Sequence, residues 1–402
     1  MLENNNISNG MKILMVSSYL PYPLFSGGHI RLYNLIKSLS KKHEITLVCE
    51  KRANQTQKDI DEISKICKKA YIIPRKNQWS FGNIIKTGFS LNPFLIMGHT
   101  NAEMKTTIKK ILDSEEFDLI HVETFYVMQN LPKTDLPIVL AEHNIEYLVY
   151  ERFVKKSPVL FKPFLYLDIL KLKRAEMYFW EKANKLIAVS KKEAELMNRV
   201  DVEVVPNGVD LDKFKMKKLP PNQNGKRILF IGDFKWIQNK DSIVYIIKNI
   251  WPRISAKNPD LKLWVVGREI PDSIKKLGNS SIIFDENAPN ETQLIFQTAD
   301  ILLSPIRVGG GTNFKILESM ASGTPVITTG LGNDGINAKD REEIIICEKP
   351  EEFVSKALLL LSDDYLYEKL SRNGRKFIEK NFDWRNIAQK LDNIYVSLVG
   401  NK

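Results

Sequence analysis

The stretch from Ser304 to Thr329, SPIRVGGGTNFKILESMASGTPVITT, contains the residue types best suited to chemistry. A β-branched run ends at its start, three glycines follow at 309–311, and a run with helical spacing begins near Asn313. Glycines let backbone N–H groups approach a phosphate closely, and the N-terminus of a following helix adds a favourable dipole. The pattern predicts an anion-binding loop, with these candidate ligands: Gly309, Gly310, Gly311, Thr312, Asn313 and Phe314.

Two charged residues follow the glycines on the predicted helix. Lys315 falls in the first turn, where the helix dipole disfavours a cation by about 0.3–1 kcal/mol, and a bound diphosphate would reverse that sign. Glu318, three residues later, lies on an adjacent face and is placed to accept both hydroxyls of a ribose. The alternative interpretation is a glycine turn beside a surface Lys–Glu pair.

Two successive sets of alternating strand-like and helix-like runs must position these residues. The first set has six β-rich runs: MKILMVSS, EITLVCE, AYIIP, FDLIHVET, PIVLAEH and KLIAVS. The second set has six more: RILFIGDF, LKLWVVGRE, SIIFDE, DILLSPI, PVITT and EEIIICE. Buried parallel strands have this composition. The predicted fold class is α/β, with two Rossmann-like doubly wound domains that face a central cleft.

The domain boundaries follow from composition. The polar, Asn-rich residues 1–10 are predicted to be a disordered tail. We expect an N-terminal domain over 11–207, a C-terminal domain over 208–384, and a last helix over 385–402 that packs back on the N-terminal domain. Pro206-Asn207-Gly208 and the polar stretch to Lys226 are predicted to form the linker.

Other candidates lie at predicted strand ends. His143 ends the PIVLAEH run, and ligands of doubly wound sheets bind at the carboxyl ends of strands, so we expect a functional rather than a purely structural histidine. Gly27 and Gly28 separate the first strand from its helix, and Gly267 follows LKLWVV. The alternative for each glycine is an ordinary turn.

Several motifs occur together and in order along the chain. They are Gly27-Gly28, HNIE at 143–146, RAEMYFWEKANKLIAVS, VVPNGVD at 204–210, GGGTNFKILESMASGTPVI and the terminal FDW…IY. Together they resemble the signature of the family 4 glycosyltransferases over nearly the whole chain. The resemblance implies a GT-B fold, transfer with retention from a nucleotide-sugar donor, and no metal or other cofactor.

The resemblance also implies roles for single residues. The Gly27-Gly28 loop would close on the diphosphate and acceptor, His143 would contact the donor sugar or the transition state, and Glu318 would bind the ribose. The family's usual motif has a second glutamate eight positions earlier, where this chain has Gly310. The sequence resembles a branch with G-x-G-x-x-x-K-x-x-E instead. Lys315 would then take over part of the phosphate neutralisation.

The basic pair that the family usually carries after the first strand of the C-terminal domain has no clean match. Lys235, Asn239 and Lys240 lie near that place, and Lys235 is taken as a donor-binding candidate. Gly267 would then border the nucleobase.

Composition and charge limit the partners. The net charge of +11 favours anionic partners, but no nucleic-acid-binding motif occurs, so nucleic acid is not expected. Three scattered cysteines indicate a reducing, cytoplasmic setting, and no metal-ligand spacing is present. Residues 79–97 and 152–182 combine aromatic and basic side chains, which suits either an anionic membrane surface or a core helix with a solvated face.

The expected activity is therefore sugar transfer from a nucleoside diphosphate to a glycan or lipid-linked acceptor, in cell-surface polysaccharide synthesis. Two alternatives remain at this point. A sugar-nucleotide epimerase shares the two-domain architecture, and a degenerate transferase would bind a nucleotide sugar without turnover.

Overall fold

The computed structural model describes residues 10–24, 26–75, 87–88, 90–155, 157–218, 226–287, 291–309 and 311–400. The chain divides into two compact units, one of residues 1–206 with 387–402 and one of residues 207–386. The predicted disordered tail falls almost wholly outside the described residues, as do 79–86 and 89 within the range 79–97.

The first unit is built on a seven-stranded parallel sheet in the order β3-β2-β1-β4-β5-β6-β7. Its strands are β1 (Lys12–Ser17), β2 (Glu44–Lys51), β3 (Lys69–Pro74), β4 (Leu119–Glu123), β5 (Ile138–Glu142), β6 (Lys185–Ala188) and β7 (Val202–Val204). Its helices are α1 (Gly27–Leu39), α2 (Gln57–Ser64), α3 (Phe94–His99), α4 (Ala102–Ser114), α5 (Glu146–Lys155), α6 (Lys162–Lys182) and α7 (Lys191–Leu196). Short 3₁₀ turns occupy Phe125–Asn130 and Val159–Phe161.

The second unit has a six-stranded parallel sheet in the order β10-β9-β8-β11-β12-β13. Its strands are β8 (Arg227–Ile231), β9 (Lys262–Val266), β10 (Ile282–Asp285), β11 (Ile301–Ser304), β12 (Val326–Thr328) and β13 (Ile345–Ile346). Its helices are α8 (Ile237–Tyr245), α9 (Trp251–Lys257), α10 (Asp272–Lys275), α11 (Thr292–Thr298), α12 (Phe314–Ala321), α13 (Gly330–Asn333), α14 (Pro350–Ser362) and α15 (Asp364–Asn381), with a π-helical turn at Ile246–Ile250.

The last helix, α16 (Trp384–Val399), contributes its residues from Ile387 onward to the first unit. Asp392 bonds to His43, which lies between α1 and β2, with 2.8 Å between its carboxylate and Nε2. Tyr395 is fully buried, and its hydroxyl lies 2.7 Å from Nδ1 of His121 on β4. These two contacts tie the C-terminal helix into the core of the first unit.

Both sheets carry strands that are apolar on both faces, as expected for parallel sheets covered by helices. In β1, Ile13, Leu14, Met15 and Val16 are all essentially inaccessible to solvent. The two predicted sets of strands form two doubly wound α/β sheets, so this part of the fold class is confirmed. The short edge strand β7 and the π-helical turn were not predicted, because neither has a distinctive composition.

Candidate active site

The glycine loop of the second unit lies between β11 and α12. Gly309 has a φ of 112° and Gly311 a φ of 81°, conformations that side chains of L-residues disfavour. The predicted binding residue Gly310 lies outside the described residues. The loop therefore needs glycine at its two described positions to bring the chain from the strand end to the start of α12.

The N-terminus of α12 is left uncapped by side chains. Asn313 precedes the helix, but its side chain accepts no hydrogen bond from the first turn. Instead its Nδ2 lies 3.4 Å from the carbonyl oxygen of Gly311 and 3.3 Å from that of Gly332. The buried Oγ1 of Thr312 has no hydrogen-bond partner in the described structure. In the described structure, the N–H groups of Phe314 and Lys315 and this hydroxyl are thus available to an anionic ligand, while the N–H of Ile316 donates to the carbonyl oxygen of Asn313 at 3.0 Å.

Lys315 points its ammonium group at neutral partners. Its Nζ lies 2.6 Å from Oδ1 of Asn239 and 4.8 Å from the centroid of the Phe230 ring. Burial lowers the pKa of Lys315 to about 7, against the opposing influence of Glu318. A buried amine with an amide and a ring as its close partners would gain strongly from a bound anion.

Glu318 is half-buried one turn further along α12. In the described part of the chain, its carboxylate accepts no hydrogen bond. Burial raises its pKa to about 7, while the positive charges of Lys213 and Lys315 lower it. A carboxylate without protein donors can accept two hydroxyl groups of a ligand, which is the role predicted from its spacing.

Helix α8 positions the loop and the lysine, a role that the sequence analysis missed. Arg307 forms a bidentate ion pair with Asp241, at 3.1 and 2.8 Å, and its guanidinium lies 4.1 Å from the centroid of the Tyr245 ring. Ser242 donates from Oγ to the carbonyl oxygen of Pro305 at 3.0 Å. Asn239 comes from the same helix. The polar residues at helical spacing in QNKDSIVY were the available signal.

Two predicted residues of the second unit have other contacts. The ammonium group of Lys235 lies 3.1 Å from the carboxylate of Glu269, and both side chains are exposed, so it does not join the Lys315 group. A Cβ at Gly267 would lie 2.1 Å from the carbonyl oxygen of Gly232 and 2.6 Å from the Phe234 ring. Close packing of two strand ends therefore explains this glycine.

Phe314, a predicted ligand of the anion-binding loop, is not part of the buried face of α12. It is half-buried, whereas Ile316, Leu317, Met320 and Ala321 supply the buried face of α12. Because α12 begins only at Phe314, its first side chain lies at the loop end, where it could border a ligand.

In the first unit, His143 begins a connected series of polar side chains. Its Nε2 bonds to the fully buried Glu123 at the end of β4. The other carboxylate oxygen of Glu123 lies 3.2 Å from Nε2 of His121, whose Nδ1 contacts Tyr395. Burial alone would raise the pKa of Glu123, but His143 and His121 together hold it well below its usual range. His143, with 17% of its side chain exposed, is the accessible end of this series.

Gly27 and Gly28 open α1 beside His143. A Cβ at Gly28 would lie 3.0 Å from the hydroxyl of Tyr19 and 3.2 Å from Nδ1 of His143. The buried Tyr19 hydroxyl has no hydrogen-bond partner in the described structure. Glycine at 28 thus leaves space next to both groups, which an ordinary turn would not require.

Three carboxyl groups, those of Glu142, Glu146 and Glu176, lie near the HNIE turn that contains His143. Glu176 of α6 is fully buried and accepts the backbone N–H groups of Glu146 and Tyr147 at 2.8 and 3.0 Å, which caps α5. Burial raises the pKa of Glu146 to about 7 and that of Glu176 to about 8. Trp180 donates from Nε1 to Glu142 at 3.2 Å. The group fixes the HNIE turn by bonds that sequence spacing did not reveal.

The described residues include no group of three or more His, Cys, Asp or Glu side chains arranged to hold a metal ion. None of the helices in the described ranges is long and apolar enough to cross a bilayer.

Comparison with known proteins bears on these two groups of residues. The model for Glycosyltransferase Family 4 matches residues 25–213, and that for Glycosyl transferases group 1 matches residues 225–363. The chain is a GT-B glycosyltransferase of family 4. The first match contains the Gly27-Gly28 loop and His143, and the second contains the glycine loop with Lys315 and Glu318.

Individual relatives of the transferase extend over most of its length. It is 22% identical over 393 residues to an uncharacterized 44.6 kDa protein in the cps region of Klebsiella pneumoniae, covering 94% of this chain and 98% of the relative. It is 21% identical over 335 residues to UDP-Gal:alpha-D-GlcNAc-diphosphoundecaprenol alpha-1,3-galactosyltransferase of Escherichia coli, covering 75% and 81%. Its fold matches that of Anabaena HepE, solved with UDP and glucose, with a TM-score of 0.66, 15% identity and coverage of 96% and 100%.

Proposed function

We propose that the enzyme transfers a sugar from a nucleoside-diphosphate sugar to a glycan or lipid-linked acceptor, with retention at the anomeric carbon, in the synthesis of a cell-surface polysaccharide. The observation that carries this proposal is the arrangement of Lys315 and Glu318 on α12. The lysine has neutral partners at an uncapped helix N-terminus, and the carboxylate accepts no hydrogen bond from the described residues.

In this proposal the second unit binds the nucleotide. The diphosphate contacts the N–H groups at the start of α12 and the ammonium group of Lys315, and Glu318 accepts the ribose hydroxyls. The hydroxyl of Thr312 supplies a further donor. During transfer, the bond between the anomeric carbon and the diphosphate oxygen breaks, and the negative charge that develops on the diphosphate is stabilised by these donors.

The acceptor hydroxyl then forms the new bond to the anomeric carbon. For retention, it attacks on the face from which the diphosphate leaves, and its proton passes to the departing phosphate oxygen. We assign the acceptor to the first unit. His143, in an orientation held by Glu123, contacts the sugar that is transferred.

Two observations support the acceptor class. The Escherichia coli relative acts, by its name, on a sugar linked to diphosphoundecaprenol, and the Klebsiella relative belongs to a cps region. A lipid-linked glycan at the cytoplasmic face of a membrane is the acceptor that we infer for this enzyme.

A panel of nucleotide sugars tests the proposal. With radiolabelled UDP-, GDP- and TDP-sugars, we expect slow hydrolysis of one donor and fast transfer to a matching lipid-linked acceptor, with product NMR that shows the donor's anomeric configuration. Interconversion of the free nucleotide sugars would instead establish an epimerase. Nucleotide binding without hydrolysis or transfer for any donor would establish a degenerate binding protein.

A further inference from the structure

One surface of the first unit exposes large apolar side chains to solvent. The 3₁₀ turn at Val159–Phe161 and the first half of α6 carry them. Leu160 is 78% exposed, Phe164 75% and Leu170 64%. We call this surface the apolar face, and it consists of Val159, Leu160, Phe161, Phe164, Leu167 and Leu170. Exposed apolar side chains grouped in this way mark interaction sites more often than ordinary surface.

Helical geometry separates the apolar face from the core. Ile169, Leu172 and Trp180 form the buried side of α6. With 3.6 residues per turn, Phe164, Leu167, Lys171, Arg174 and Tyr178 follow one another along the opposite side. The side of α6 opposite its buried residues therefore carries exposed apolar side chains in its first half and basic side chains further along.

The segment that contains α6 is also basic. Residues 152–182 contain eight Lys or Arg and three Asp or Glu, a net charge of +5. Two of the three acidic side chains form hydrogen bonds within the unit. Glu176 caps α5, and Asp168 accepts the backbone N–H of Phe94 at 3.0 Å. Little negative charge is thus left to balance the basic residues outside.

Neighbouring segments extend the surface. The bond from Phe94 to Asp168 brings residues just before α3 next to α6, and Leu91 there is 83% exposed. Lys171 donates to the carbonyl oxygen of Thr87 at 2.9 Å. The apolar face therefore continues beyond a single helix.

We propose that the apolar face docks the enzyme on an anionic lipid bilayer, with the apolar side chains inserted at the acyl boundary and Arg174 and Lys182 contacting lipid phosphates. Burial of apolar surface and attraction to anionic headgroups act together at such a surface. A second copy of the chain fits less well, because a symmetric interface would bring together two copies of the segment 152–182, each with a net charge of +5.

Docking would bring the enzyme to the membrane that holds the proposed lipid-linked acceptor, and in this respect the inference rests on the proposed function. The test uses binding alone, so that docking and sugar transfer can fail separately. The full-length protein is sedimented with vesicles of phosphatidylglycerol and phosphatidylcholine, and in parallel with vesicles of phosphatidylcholine only. Donor hydrolysis is measured in the same samples.

Two sets of variants locate the contact. Phe161→Ser with Phe164→Ser and Leu167→Ser removes exposed apolar groups, and Val200→Ser with Tyr365→Ser is the matched control at exposed sites elsewhere. Arg174→Glu with Lys182→Glu reverses charge on the surface, and Lys376→Glu with Lys380→Glu does so on α15. Loss of the two basic contacts alone should weaken binding on the order of 25-fold, since each contributes roughly fivefold, and repulsion between the new carboxylates and the anionic lipid weakens it further.

We expect the protein to sediment with anionic vesicles only. Salt at about 0.5 M should release it, because the Debye length decreases. Both surface variants should lose binding, and neither control should. Equal recovery with both vesicle types, recovery with neither, or unchanged binding by the surface variants would overturn the proposal. Concentration-dependent dimerisation that the serine variant abolishes, without vesicle binding, would assign the apolar face to a second copy instead.

Discussion

The His143 group of the first unit and the Lys315 group of the second are built in opposite ways. His143, Glu123, His121 and Tyr395 satisfy one another through a continuous set of contacts in the core. Lys315 has an amide and a ring as its close partners, and Glu318 accepts no hydrogen bond from the described residues. The first arrangement orients a side chain in advance, and the second is completed by a ligand.

Replacement of Lys315 should give the largest effect. Lys315→Ala is expected to lower kcat by roughly 10²–10³, the scale for losing one donor to a developing oxyanion. Lys248→Ala, at an exposed position of the same unit, should leave turnover unchanged. Steady-state transfer kinetics with the identified donor decide the matter, and near-normal turnover of Lys315→Ala would contradict the site.

Loss of the contact between Glu123 and His143 should have the next largest effect on kcat. In Glu123→Gln we expect kcat to fall about 10–100-fold, the usual range for a residue that orients another, with nucleotide affinity unchanged. Glu123 is a positioning residue, so the pH profile of kcat should also shift when the negative charge beside His143 is removed, and Glu123→Asp should restore part of the activity.

The chain offers a matched control in a second buried His–carboxylate pair. His43 and Asp392 lie 2.8 Å apart in the same unit. Asp392→Asn should reduce the unfolding midpoint in a similar way but keep kcat and its pH profile. If both variants lost activity in parallel with stability, Glu123 would have only a structural role.

Glu318 should affect binding more than chemistry. Removal of a half-buried acceptor for the ribose hydroxyls is expected to weaken binding of the donor's nucleoside diphosphate about tenfold in Glu318→Ala. Binding of the 2′,3′-dideoxy nucleotide should be equally weak in the wild type and the variant. Calorimetric titration measures both, and a variant that still distinguishes the two nucleotides would show that another group holds the ribose.

The pKa of Lys315 gives a smaller effect that depends on pH. Burial lowers this pKa to about 7, so at about pH 8 the free enzyme carries mostly the neutral amine. A bound diphosphate raises the pKa again, and binding must therefore take up a proton and weaken as pH rises above 7. Glu318, with a pKa of about 7, is already mostly ionised at pH 8 and contributes little.

Calorimetry at about pH 8 in two buffers of different ionisation enthalpy measures this uptake. We expect nearly one proton per nucleotide in the wild type and none in Lys315→Met. Absence of uptake by the wild type would mean that the diphosphate does not contact this lysine.

Local patterns predicted much of this architecture. The twelve β-rich runs identified the sheets because parallel strands are apolar on both faces, and the glycines located the loop before α12. Lys315 and Glu318 could be predicted as a pair, because residues three positions apart in one helix lie close together. Donor-binding roles for Lys235 and Gly267 stay predictions, although the structure gives both residues other contacts.

The partners that come from distant segments could not be predicted in this way. Glu123 lies 20 residues before His143, and Tyr395 lies 274 residues after His121. Such contacts depend on strand order and on where the last helix packs, which no local pattern specifies. The contact of Asn239 with Lys315 is of the same kind, since α8 and α12 meet only through the order of the second sheet.

Metal removal should have the smallest effect of all. In enzymes that need a divalent cation for this chemistry, the ion neutralises the departing diphosphate. Here the proposed site offers the N–H groups at the start of α12 and the ammonium group of Lys315 for the same charge, so we expect transfer to continue at an unchanged rate in excess EDTA. The sharper form of the test uses Lys315→Ala, because a cation that can replace the lysine should raise the residual activity of that variant when Mg²⁺ is added, but should leave the wild type unaffected. Loss of wild-type activity in EDTA, restored by Mn²⁺, would show that a metal ion and not Lys315 carries the main share of the leaving-group charge.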